Sequence, residues 1–230
     1  MCNIYDPSEL DRINELFMTA AEGFTYPRQA YKNYEAPMVH VNDHGQRECV
    51  LARFGVISNR GPDKKPIIVT NARTETVGEK RTFSGDWRAG RLCLVPASSI
   101  YEPNYEADPD KSVRYRIWLK DQADFAIAGV WQMYQHEGEP PRYRFTMLTM
   151  NADHHAVFRR MHAPKDEKRG VVMLHQDQWD DWLECRDPER ARTFLKLYPA
   201  ELMDCGAAPA PPRKKESARP VDDLFGGQPD

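Results

Sequence analysis

RLCLVPASSIYE, residues 91–102, is a run of apolar and small residues that ends on an aromatic and a carboxylate. It is one of a series. CVLARFGVI (49–57), KPIIVTNA (65–72), VRYRIWLK (113–120), DFAIAGVWQMYQ (124–135) and YRFTMLTMNA (143–152) share its make-up. Each is short, β-branched or aromatic, and bounded by Gly, Pro, Asn or Asp, which is how strands read. The series predicts antiparallel or mixed sheets through the middle of the chain.

Outward from that middle the pattern changes. SELDRINELFMTAAE (8–22) spaces Leu10, Ile13, Leu16 and Phe17 as a helix behind Ser8, a residue type that caps helix starts. After Thr149 a helical pattern returns in DHHAVFRRM (153–161), then a charged loop, HAPKDEKRG (162–170), and a short strand, VVML (171–174). DQWDDWLE (177–184) and DPERARTFLKL (187–197) follow as helices, with Asp177, Asp180 and Asp181 in the first turns, where the helix dipole favours acids. The class is α+β and β-rich. The last 25 residues, from Gly206 to Asp230, are rich in Pro, Gly and Ala and too poor in large apolar groups to offset their ordering entropy. One folded domain over 2–205 and a disordered tail over 206–230 are therefore expected.

The chain has 230 residues, 40% of them hydrophobic, with 32 Lys+Arg against 35 Asp+Glu. A net charge of -3 argues against a protein that coats nucleic acid by bulk charge, because that mode rests on many phosphate contacts. The deficit is local. Residues 176–205 carry four bases and eight acids and residues 206–230 balance, which leaves 1–175 at +1. No stretch approaches the roughly 20 apolar residues of a membrane span, and the acidic N-terminus lacks the basic start of a secretory signal. The five cysteines are widely spaced without a CxxC pair, which fits reduced thiols in the cytoplasm better than disulfides or a structural zinc site.

Five residues could carry chemistry. Cys2 follows Met1, and removal of Met1 would give one residue both a free thiol and a free α-amine, able to attack an aldehyde in sequence and close a five-membered ring. Chance placement of a small residue is the plainer reading of Cys2. Asn71 and Arg73 lie where the KPIIV strand opens, so Arg73 could grip a phosphate with its planar fork or simply form a surface ion pair. Glu102 closes an apolar run and is costly to bury unless paired or functional; an edge-strand Glu facing water is the alternative. His162 opens a loop rich in Lys and Arg, as a helix-end cap or as part of an acid/base set with Glu102. His154 and His155 read as surface residues.

Taken in order, Cys2 after Met1, Asn71-Ala72-Arg73-Thr74-Glu75-Thr76, Leu92 to Ala97 followed by Tyr101-Glu102, FAIAGVW, Leu148-Thr149 and Met161-His162 through Arg169 resemble the SRAP family, the SOS-response-associated peptidase-like proteins. The resemblance spans about residues 2–205. It implies a β-rich fold with a barrel-like core and flanking helices that binds single-stranded DNA and crosslinks to abasic sites. In that picture Cys2 is the nucleophile and forms a thiazolidine, Asn71 holds it and the sugar, and Glu102 is the acid/base. His162 assists at the sugar hydroxyl, Arg73 and Arg169 contact phosphates, and Thr149 lines the site. A gapless alignment instead puts Arg160 near the histidine position, which makes Arg160 a further DNA-binding candidate. Arg53, Arg60 and Arg81 are candidates for the rest of the groove.

The resemblance also implies a monomeric, cytoplasmic, nucleoid-associated bacterial protein of the DNA damage response that needs no metal or cofactor and removes its own Met1 as a thiol hydrolase. The chain departs from the family pattern at Ile4, where many members carry Arg, at Phe54, and at Pro103, where Trp is usual. Two rival readings stand beside this one: a thiol peptidase using Cys2, His162 and Glu102, and a non-covalent single-strand DNA-binding module. The tail peptide Val221-Asp222-Asp223-Leu224-Phe225 could dock through Leu224 and Phe225 on a replication clamp.

Overall fold

A computed structural model describes residues 2–59, 61, 64–135 and 138–210. The strands of the N-terminal half are β1 (Ile4–Pro7), β2 (Ala30–Tyr31), β3 (Glu35–Val41), β4 (Arg47–Phe54), β5 (Val56–Ser58), β6 (Ile67–Val69), β7 (Asn71–Arg73) and β8 (Leu92–Asn104). Those of the C-terminal half are β9 (Val113–Leu119), β10 (Phe125–Tyr134), β11 (Arg142–Asn151), β12 (Arg169–Val171), β13 (Met173–Leu174) and β14 (Met203–Ala207). Among the described residues four short α-helices flank them: α1 (Leu10–Phe17), α2 (Ser84–Arg88), α3 (Trp179–Glu184) and α4 (Pro188–Thr193).

β8 organises the sheet because it is long enough to serve two neighbourhoods. Its first half pairs antiparallel with β10 and touches β3 at Val39–Leu94. β10 continues to β11, β11 runs parallel to β4, and β4 returns to β3. That circuit closes a five-stranded barrel of mixed sheet, the β-rich α+β fold expected from the sequence. The second half of β8 leaves the barrel and takes β1 on one side and β9 on the other, with β14 beyond β9.

Strand alternation gives this sheet two apolar faces. Cys93, Val95 and Ala97 of β8 pack with Phe125, Ile127, Phe145, Met147 and Phe54 in one core, which also contains Cys2 and Tyr5. Leu92, Leu94, Ala126, Ala128 and Leu148 face the other way, against Ile13, Phe17, Trp87 and Trp182 of the helices. Burial on both faces is why segments such as FAIAGV read as unbroken apolar runs rather than alternating ones. Each large side chain so buried contributes roughly 1.5–3 kcal/mol. The strands approach closely at Gly129, where a Cβ would sit 2.8 Å from Cys93 Sγ and 2.9 Å from the Thr146 carbonyl oxygen.

Three local expectations need correction. The N-terminal helix covers Leu10–Phe17 rather than 8–22, and Glu9, not Ser8, precedes it. Met18 turns left-handed (φ 52°), and the Asn14 carboxamide oxygen accepts from Thr19 Oγ1 and the Ala21 amide, which ends the helix. Residues 153–161 are not an α-helix. β11 runs on to Asn151, whose side chain takes the Asp153 amide, while His155 Nδ1 takes the amides of Val157 and Phe158, so only a 3-10 turn forms at Phe158–Arg160. His155 also bonds the Tyr198 carbonyl and is half-buried, unlike the exposed His154.

At the C-terminal end, β14 carries the chain past Cys205: Ala207 pairs with Tyr115, and the Ala208 amide donates to the Arg114 carbonyl. The tail peptide with Leu224 and Phe225 lies outside the described residues. None of the described helices is long and apolar enough to cross a membrane.

Candidate active site around Cys2

β1 is the element that builds the site. Ile4 pairs with Tyr101 on β8, so the antiparallel register carries Asn3 and Cys2 toward Glu102 and Pro103. On the other side, β7 pairs in parallel with β11, Asn71 opposite Met147 and Arg73 opposite Thr149. Asn71 Nδ2 donates to the Cys2 carbonyl oxygen at 2.7 Å and to Thr70 Oγ1 at 2.8 Å, and Thr70 Oγ1 donates to Asn3 Oδ1 at 2.6 Å. Two consecutive residues, Thr70 and Asn71, thus hold the Asn3 side chain and the Cys2 backbone. Neither Thr70 nor Asn3 stands out in the sequence; adjacency to Asn71 and Cys2 is the only signal they carry there.

Cys2 is fully buried, and its Sγ lies 3.5 Å from the Ile4 carbonyl oxygen. Burial pushes the thiol far above its ordinary pKa, and the nearby Glu102 carboxylate adds to that, so the sulfur keeps its proton at neutral pH.

Glu102 is 3% exposed, and its Oε2 lies 3.0 Å from His162 Nε2, a hydrogen bond that the carboxylate accepts from the ring N–H. His162 is held in a left-handed conformation (φ 66°) that turns its ring toward Glu102. Its amide donates to the Pro103 carbonyl at 2.7 Å, and Lys168 Nζ donates to the carbonyls of His162 and Ala163, closing the charged loop on itself. Non-Gly residues rarely hold φ in this range, and such strain marks positions fixed by their surroundings.

Two clefts meet at His162. One, of about 770 Å³, is lined by Asn3, Ile4, Tyr101, Glu102 and Arg114 among others. The second, of about 780 Å³, is lined by Arg159, Arg160, Lys168 and Glu106. Cationic side chains thus approach the Glu102–His162 pair from both sides.

The family of the chain follows from comparison with known proteins. The model of the family described as SOS response associated peptidase (SRAP) matches residues 4–209. The chain belongs to the SRAP family. The abasic site processing protein YoqW of Bacillus subtilis is 28% identical over 203 residues, covering 86% of this chain and 87% of that protein. The abasic site processing protein HMCES of Gallus gallus is 20% identical over 184 residues, covering 69% of this chain and 52% of that one. A crystal structure of a Bordetella bronchiseptica protein superposes with a TM-score of 0.78 at 30% identity, covering 91% of this chain and all of that one.

Within this SRAP chain the arginines divide by their partners. Arg73 is half exposed and holds Glu167 at 2.7 Å. Arg160 pairs with Glu106, Nη2 to Oε2 at 2.9 Å, and keeps 37% of its side chain in solvent. Arg169, expected at a phosphate, has another occupation. It is buried, forks onto both oxygens of Glu75 at 2.8 Å, and also holds Glu167 and the Thr149 carbonyl. Thr149 lies beneath it, 1% exposed, and does not line either cleft. Arg53 pairs with Glu35 on the sheet and Arg81 lies exposed before α2; neither lines the two clefts, and Arg60 is outside the described residues. Among the described residues no three His, Cys, Asp or Glu side chains converge as a metal site.

Proposed function

We propose that this protein binds single-stranded DNA and captures abasic sites covalently through Cys2 once Met1 is removed. The observation that carries this reading is the immobilisation of Cys2 by Asn71 close to Glu102, whose pair with His162 lines a cleft. An abasic nucleotide in its ring-opened form presents an aldehyde at C1′ and has no base, so a recess of this kind can admit the sugar.

The chemistry divides between two groups of one residue. The Cys2 α-amine adds to C1′; Glu102 takes the proton that the nitrogen loses and returns it to the carbinolamine hydroxyl, so that water leaves and an imine forms. Sγ then bonds to the imine carbon while its proton passes to nitrogen, closing a thiazolidine; one water is released overall. Burial of Sγ favours the neutral thiol, which suits an order in which the sulfur enters second, with its proton, at an electrophilic imine. The same burial weighs against a resting thiolate of the kind a thiol peptidase uses. Arg73 and Arg160, both reachable from solvent, are the phosphate contacts of this reading, and Arg169 positions Thr149 and the 163–168 loop.

The test is to boil the protein with an abasic oligonucleotide in detergent and run a denaturing gel. A shifted band from the wild type is expected; no band would refute the covalent reading. Binding that is salt-sensitive and unchanged in Cys2→Ala, with no covalent band, would instead mark a non-covalent module.

A further inference from the structure

β9 carries an unused cationic stripe. Alternation along VRYRIWL sends Ile117 and Leu119 into the core and leaves Arg114, Arg116 and Trp118 on the opposite, solvent-reaching face. The Arg114 guanidinium lies 3.7 Å over the Tyr101 ring, and that of Arg116 lies 5.4 Å from the Trp118 ring centre. Among the described residues neither guanidinium makes a hydrogen bond or an ion pair, and the Nε of each is buried without an acceptor. This sets them apart from Arg73, Arg160 and Arg169, each of which holds a carboxylate.

The acid bonded to Tyr101 is already engaged: Asp6 accepts from Ser99, Tyr101 and Gln29. Asp204 of β14 sits opposite Trp118. The stripe also has two defined ends. Arg114 lines the Glu102–His162 cleft, and Arg116 and Trp118 line a smaller hollow of about 400 Å³ with Lys120 and Asp121.

We propose that this face of β9 carries the nucleotides flanking the lesion, with Arg114 and Arg116 each taking one phosphate of the same single strand. The inference rests on the abasic-DNA reading for the identity of the ligand. Residues two apart on a strand stand roughly 6.6 Å from each other, comparable to the separation of adjacent phosphates along an extended single strand. A guanidinium already stacked on an aromatic loses little freedom on gripping a phosphate. Guanidinium planes backed by Tyr101 and Trp118 also offer faces on which bases stack without sequence preference. Ile4 gives its side of the cleft an apolar wall, and Arg114 brings a cation to it from the neighbouring strand.

The test uses oligonucleotides bearing a tetrahydrofuran abasic analogue, which has no aldehyde and cannot crosslink, so that anisotropy reports binding alone. Oligonucleotides of about 15 and about 5 nucleotides are compared, with the lesion analogue placed centrally in each. The Arg114→Gln/Arg116→Gln protein should bind the longer one about tenfold more weakly than wild type and the shorter one nearly as well. Its salt dependence on the longer strand should be shallower by about 1.4, at roughly 0.7 for each phosphate no longer neutralised. Arg114→Lys/Arg116→Lys should recover most of that slope. If the Gln pair folds poorly, Arg116→Glu alone should show the same length-dependent weakening. Wild-type affinity and slope in these variants, or equal weakening on both lengths, would overturn the proposal. Failure of the wild type to form a covalent band with an aldehyde-bearing strand would sink the chemical reading alone, since this binding comparison does not pass through it.

Discussion

Asn71 Nδ2 donates a 2.7 Å hydrogen bond to the carbonyl oxygen of Cys2, so a strand that begins 69 residues later in the chain holds the residue that does the chemistry. This bond is within the buried site and fixes the backbone from which both the amine and the thiol project. Asn71→Ala should slow adduct formation by about tenfold or more, since small misplacements of a reacting group are costly. Single-turnover kinetics at saturating abasic DNA would check this. An unchanged rate constant would mean that Asn71 is not needed to position Cys2.

Glu102 lines the neighbouring cleft, its carboxylate within hydrogen-bond reach of His162 Nε2. Glu102→Gln keeps its shape and removes its proton chemistry. A loss of about 100-fold in the rate of adduct formation is expected, within the usual range for general acid–base catalysis. Binding of the tetrahydrofuran analogue, measured alongside, should change far less.

Glu75 gives a pH dependence whose sign can be worked out. Burial raises its pKa, but the hydrogen bonds from Arg169 outweigh this and bring it down to about 2. A depressed carboxyl pKa stabilises the fold fully above the unfolded value near 4.5, and that contribution is lost as pH falls from there toward about 2. Thermal melts across that window should therefore show Glu75→Gln less acid-sensitive than wild type. Arg169→Ala should cost roughly 2 kcal/mol at neutral pH, less than a fully buried pair because Glu75 remains half exposed.

Gly170 lies beside Arg169, where a Cβ would meet Phe158 at 2.5 Å and Leu197 at 2.8 Å. Both neighbours pack under the loop that presents His162. Gly170→Ala should destabilise the protein by about 1–3 kcal/mol through overpacking, read as a lower denaturation midpoint.

Four of the five barrel strands were legible as short apolar or aromatic runs; β3 (Glu35–Val41) was not, since Pro37 and His40 interrupt its run. Cys2, Asn71, Glu102 and His162 were legible as motif residues, and the structure brings all four to one place. Three further features were not legible, each for a physical reason. IYDP does not read as a strand, since only Tyr5 and Pro7 of its four residues are buried and its stability comes from pairing with β8. Residues 153–161 carry helical spacing, but Asn151 and His155 side chains take the amides that a helix would need. Arg169 looks like a surface cation in the run KDEKR, yet Glu75, far away in sequence, draws it inside. Side-chain competition for backbone groups and long-range ion pairs leave no periodic trace.

The intact mass of the protein after incubation with an abasic oligonucleotide, without reductant, tests the central claim most directly. The account predicts a species equal to the chain lacking Met1 plus the oligonucleotide minus one water, absent from Cys2→Ala under the same conditions. Retention of Met1 in the adduct, or an equal yield from Cys2→Ala without reductant, would contradict it.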